Sequence, residues 1–217
     1  MRHDPVMKER TFAGRTATRQ PPTTVRARRC PAWVPVLVLA LTVAQLLLAT
    51  LATGLEQFAG KAFGARLVTY PVLMLTAPAL WWLVAGRRQR PLRPPWGAFT
   101  LVMLPFLVDA TGNSLDLYDT VEWWDDANHL VNWFLLCAGL GLLCCLRIRP
   151  RWAVVLAVTG LGALLAIGWE LGEWWTFIRH GTELDTAYTD TLGDEALGTV
   201  GAFLAGLLVA AKTPPDG

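Results

Sequence analysis

Six apolar stretches divide the chain, at about 33–53, 66–86, 96–115, 128–146, 152–172 and 192–211. Each is near the roughly 20 residues that an α-helix needs to cross a hydrocarbon core about 30 Å thick. Helices satisfy every backbone polar group within the segment, which lipid demands. The pattern predicts an all-α polytopic membrane bundle of about six transmembrane helices over residues 31–212, with an arm at 1–30 and a tail at 213–217. The third and fourth stretches are less apolar, because each turns polar at the end facing the segment between them.

Charge orients this bundle. Lys and Arg number eight in residues 1–30, two at the first loop (Lys61, Arg66), four in RRQRPLR, none in 116–127, three in RIRPR, one in the fifth loop (Arg179) and one at the tail (Lys212). By the positive-inside rule this alternation predicts cytoplasmic termini and outward-facing first, third and fifth loops. Tryptophans fit the same layout: Trp33, Trp81, Trp82, Trp96 and Trp152 fall near expected inner ends, and Trp123, Trp124, Trp169, Trp174 and Trp175 near outer ends. Trp133 is the exception, one turn inside the fourth stretch. The basic, Thr- and Pro-rich arm at 1–30 is expected to be disordered and to set orientation, and the long first apolar run reads as an uncleaved anchor.

Composition agrees. At 53% hydrophobic, 17% charged and mean hydropathy +0.38, the chain is too apolar for an ordinary soluble domain, whose charged share is roughly 25%. A cell-membrane location with lipid as the surrounding partner follows, no nucleic-acid partner is expected, and the sequence names no protein partner. Cys30, Cys137, Cys144 and Cys145 lie just before or within apolar segments, so no structural disulfide is expected, and buried cysteine behaves as a small hydrophobe.

The acidic residues change the picture. Of 17 Asp and Glu, 13 lie between Asp109 and Glu195, and Glu56 joins them on the outer face, where only Lys61, Arg66 and Arg179 stand as permanent cations. Water accounts for loop residues such as Asp116, Asp119, Glu122, Asp126, Glu183 and Asp185. It does not account for four pairs within or beside the spans: Asp109 and Asn113, Asp125 and His129, Glu170 and Glu173, Asp190 and Asp194. Each pair is three or four residues apart and shares one helix face. Helix-start carboxylates have a simpler use in capping and dipole interactions, and Thr191 with Asp194 fits a capping box. That reading fails for Glu170 and Glu173, which sit at a helix C-terminus. A carboxylate placed inside a span costs a few kcal/mol or more unless it is partnered or protonated, so Glu170 within AIGWELGEWW marks a functional position.

One imidazole among carboxylates and an amide suits a divalent metal ion such as Mg, Mn, Ca or Zn. The eight paired residues are therefore the candidate ligands, with Glu170 and Asp194 as candidate catalytic bases. HExxH, paired CxxC, GxSxG, Walker and dinucleotide motifs are absent, so the sequence lends no support to serine-nucleophile, NTP or NAD chemistry. Gly198, Ala202 and Gly206 continue from Asp194 at four-residue intervals and present a smooth stripe for close helix approach.

The motifs DDANH, GWELGEW and YTDTLGDEALGTVGA, in that order over residues 109–206, resemble the YjdF-like and VanZ-like families of small bacterial membrane proteins. The resemblance implies that Asp125, His129, Glu170, Glu173, Asp190 and Asp194 are signature positions. VanZ-like chains often carry Gln where this one has Glu173 and Asn where it has Gly198, so the YjdF-like likeness is the nearer and glycopeptide resistance is not implied. The function expected is a carboxylate and His site on the extracytoplasmic side, serving a metal-dependent enzyme that acts on a lipid headgroup or cell-envelope precursor. A cation or proton carrier and a non-catalytic membrane subunit are the alternatives, and the sequence does not decide whether the chain is an enzyme. In sealed cells, cysteines introduced at Asp119 and Asp185 should react with an impermeant outside label and one at Arg90 should not; labelling at Arg90 would reverse the orientation.

Overall fold

The computed structural model describes residues 30–52, 54–85, 87, 93–176, 178–180 and 187–214. The arm before Cys30, most of RRQRPLR, and Glu183 and Asp185 lie outside the described residues. Within them the chain is helical: α1 (Trp33–Leu51), α2 (Phe63–Ala85), α3 (Trp96–Ser114), a short α4 (Leu117–Thr120), α5 (Trp124–Cys144), α6 (Arg151–Thr176) and α7 (Ala187–Lys212). Turns of 3-10 helix follow α1 at Glu56–Phe58 and α6 at Ile178–His180. All four cysteines are free.

The helices depart from the apolar pattern in two ways. Helices α5 and α7 begin four or five residues before their apolar stretches, and α6 continues past its own to Thr176. Helical hydrogen bonding does not stop at the edge of the lipid, and these polar extensions carry Asp125, Glu173 and Asp190 on regular helix. The segment between α3 and α5 holds a helical turn, α4, which the hydrophobic pattern does not reveal.

Five helices, α1, α2, α5, α6 and α7, are long and apolar enough to cross a membrane. Helix α3 is as long as α1 but less apolar, and its position explains why that suffices. It packs between α1 and α5, and Ala98, Phe99, Val102, Met103, Ala110, Gly112 and Asn113 along it are buried. A helix screened from lipid by its neighbours does not need a lipid-compatible surface. Exposed Leu41, Leu48, Leu80, Leu164 and Leu207 on the other helices supply the outward apolar rim, as expected of a surface that faces lipid.

Contacts run α2 to α1, α1 to α3, α3 to α5, α5 to α7 and α7 to α6, so α7 lies between α5 and α6. Small residues allow this. A Cβ on Gly139 of α5 would lie 2.7 Å from Val102 Cγ2 and 2.9 Å from the Ala98 carbonyl oxygen of α3. One on Gly198 of α7 would lie 2.7 Å from the ring of Trp133, and one on Gly201 would collide with the Leu130 carbonyl oxygen. Trp133 is thus a core residue, 8% exposed, which is why it breaks the interfacial pattern of the other tryptophans. Around it Cys137, Ala138, Val154, Val158, Ala202, Ala205 and Val209 form an apolar core. A second core, Leu46, Ala49, Phe63, Tyr70 and Ala110, joins α1, α2 and α3, and Trp169 packs against both.

Gly201→Ala should lower the melting temperature of the detergent-purified protein, because α5 and α7 must part; overpacking of this kind costs about 1–3 kcal/mol. Gly160→Ala, whose Cβ meets nothing within 4 Å, should melt at or slightly above wild type, since Ala favours helix by up to about 1 kcal/mol.

Candidate functional site

The start of α5 places Asp125 and His129 one turn apart on the face turned toward α6 and α7. Near the end of α6, Glu170 points to the same place, and on α7 so does Asp194. The imidazole of His129 is their meeting point. Its Nδ1 lies 2.9 Å from Asp194 Oδ1 and 3.4 Å from Asp125 Oδ1, and its Nε2 lies 3.7 Å from Glu170 Oε1. Asp194 and Glu170 are buried, at 5% and 7% exposure, whereas the Asp125 side chain is 39% exposed and forms the open side of the cluster. Thr191, one helical turn before Glu195, donates from Oγ1 to Glu170 Oε2 at 3.2 Å, fixing one carboxylate oxygen while the other faces the imidazole.

Three carboxylates around one imidazole leave an excess of negative charge even when the ring is protonated. Asp125, His129 and Asp194 each offer a ligand atom, and these atoms lie within 4.8 Å of one another. An ion with bonds of about 2.0–2.3 Å sets its ligand atoms roughly 3 Å apart, a contraction within reach of side-chain rotation. In that arrangement Nδ1 would be the ligand nitrogen and Nε2 would keep its hydrogen toward Glu170, the outer partner that orients ligating histidines.

The eight residues anticipated as ligands do not converge on one point. Asp109 and Asn113 of α3 belong to a second network. Asp109 is ion-paired with Arg66 and accepts a hydrogen bond from Tyr70, both of α2. Its other oxygen accepts from Tyr118 of α4 at 2.8 Å and from Asn113 Nδ2 at 3.2 Å. Asn128 of α5 donates in turn to the Tyr118 hydroxyl, and Asn132 donates to Asn128 Oδ1 at 2.7 Å. Burial and the adjacent Asp109 carboxylate push the Tyr118 phenol well above its ordinary range, so it stays a neutral donor. Glu173 of α6, half-buried, lies between the two networks, within the electrostatic reach of Glu170, His129, Asp109 and Arg66. Asp190 is exposed in the first turn of α7.

Two loop carboxylates assigned to water are paired instead. Lys61 bridges Asp116 and Asp119, at 2.7 Å from the latter. The hydrogen bond from the Lys61 ammonium holds the Asp119 carboxyl below the usual carboxylate range. Tyr70, Tyr118 and Asn128 are site-region residues that sequence reasoning missed, and it placed Arg66 only as an outer-face cation and Thr191 only as a capping residue. Arg66 and Tyr70 left one trace, a polar pair four residues apart at the head of an apolar stretch.

The multi-pass bundle agrees with a family model, described as predicted membrane protein (DUF2238), that matches residues 34–213. This chain belongs to that family. The DUF2238 match spans all the major helices and both polar networks. No curated protein and no solved structure matches the chain.

For this DUF2238 member, Asp109→Asn should destabilise the purified protein by roughly 2–3 kcal/mol, since it strands the Arg66 guanidinium in a largely buried setting. Adding Arg66→Gln should recover part of the loss. The response of the melting temperature to divalent ions should be unchanged in both variants, because neither residue touches the His129 cluster.

Proposed function

We propose that the cluster of Asp125, His129, Glu170 and Asp194 binds a divalent cation and forms the active centre of a membrane enzyme acting on a lipid headgroup or cell-envelope precursor. The observation that carries this reading is the convergence of three carboxylates from three helices on one imidazole, two of them buried. Charge of one sign is not stable in such a place without a cation or protons. Mg, Mn, Ca and Zn all suit the donor set. When bound, the ion would supply Lewis acidity toward a substrate oxygen or toward water.

The chain's own groups would divide the remaining work. Asp125, on the open side, and Asp194, at the buried side, would hold the ion with His129. Glu170, restrained by Thr191 and set against the imidazole, would act as general base, with a catalytic contribution of about 10²–10⁴-fold typical of such groups. Charge distribution along the loops supports an extracytoplasmic position for the centre, and the motifs DDANH and GWELGEW support kinship with YjdF-like proteins. A transmembrane carrier fits less well, because the core around Trp133, Cys137, Val158, Ala202 and Val209 closes the bundle with apolar side chains.

Divalent ions should raise the melting temperature of the purified wild type; an ion at 100 times its Kd stabilises by about 2.7 kcal/mol. Asp194→Asn and Glu170→Gln should each remove most of that gain, and the double variant little more than either, since residues sharing one site are not additive. Identical melting of the wild type with and without Mg, Mn, Ca or Zn would sink the cation site and leave a non-catalytic membrane subunit as the better description.

A further inference from the structure

Arg179 stands apart from the other cations at the site-bearing end of the bundle. Among the described residues, Lys61 is committed to Asp116 and Asp119, and Arg66 to Asp109, while no described carboxylate contacts Arg179. Its guanidinium carbon lies 3.5 Å from the centre of the Trp175 ring, a stacked arrangement. Its Nε is buried without a hydrogen-bond partner. A charged donor shelved on an aromatic ring, with an unsatisfied buried N–H, is half of an anion site. The other half is an anion with two or more oxygens on one centre, a carboxylate or a phosphate, which the planar guanidinium grips with two parallel hydrogen bonds.

The location narrows the anion. Arg179 lies three residues past the last residue of α6, and Trp174 and Trp175 before it are 46% and 60% exposed. Paired exposed tryptophans at the end of a spanning helix mark the headgroup level of a bilayer, where phosphate is the prevailing anion. We infer that Arg179, stacked on Trp175, is a binding site for the phosphate of a membrane phospholipid headgroup. This inference goes beyond the proposed cation centre and does not depend on it. It places a phosphate at the same end of α6 that carries Glu170 and Glu173, so it names a substrate class for that centre if the centre is catalytic.

The test uses the full chain in maltoside detergent with EDTA present, which separates it from any failure of the cation site. Dioctanoyl phosphatidylglycerol is titrated while tryptophan fluorescence and melting temperature are followed, with dioctanoylglycerol as the phosphate-free control. The wild type should be stabilised by the phospholipid and not by the diacylglycerol. Arg179→Gln should weaken the apparent Kd at least about tenfold, the worth of one lost charge-assisted pair, and Arg179→Lys should fall between. Should Arg179→Gln fail to fold, Trp175→Leu, which keeps the charge and removes the shelf, is expected to weaken binding several-fold. Protection by glycerol phosphate equal to that by the phospholipid would support the phosphate site and assign it to free phosphate esters. Wild-type affinity in both Arg179→Gln and Trp175→Leu would overturn the inference.

Discussion

Taking a carboxylate out of water costs several kcal/mol unless a partner goes with it, and lipid sharpens that demand because nothing around the helix can substitute for water. Asp109, Glu170 and Asp194 all lie on helices within the bundle, so each has to be answered by another helix. Asp109 is answered by Arg66 and two phenols. Glu170 and Asp194 are answered by the single ring of His129 and by Thr191. The arrangement of the helices follows from these obligations as much as from apolar packing. Helix α7 has to lie against α5 to bring Asp194 to His129, and α3 against α2 and α4 to bring Asp109 to its donors.

The small residues make those approaches possible. Gly139, Gly198 and Gly201 sit where a side chain would meet a neighbouring backbone or the Trp133 ring, and Thr42, Thr100 and Thr159 bond back to their own helix carbonyls, so their hydroxyls are satisfied without water. Trp169, one residue before Glu170, packs against both apolar cores. The base of the proposed centre is therefore seated at the seam between the two halves of the bundle.

Much of this was legible in the sequence. Apolar runs gave the long helices because a spanning helix must be apolar over its length, and the four-residue spacing of Asp125 and His129 gave their shared face. What could not be read was which carboxylates meet. Arg66 and Asp109 are 43 residues apart, and nothing local in either stretch signals the other. Asp109 was therefore grouped with the other candidate ligands, and the structure pairs it with an arginine from another helix. Lys61 hid in the same way, its partners Asp116 and Asp119 lying far along the chain on the other side of α2 and α3. The helical turn α4 was invisible because it is polar and short, and its orientation depends on Tyr118 reaching across to Asp109.

Helix α3 carries a consequence for how the protein enters its membrane. Its less apolar sequence and its carboxylate make it a poor candidate to partition into lipid by itself, whereas paired with α2 its charge is already cancelled by Arg66. The two are joined in sequence, so they favour entry as a hairpin in which one segment's liability is the other's remedy. Biogenesis, like the finished fold, then turns on a charge never being left alone in oil.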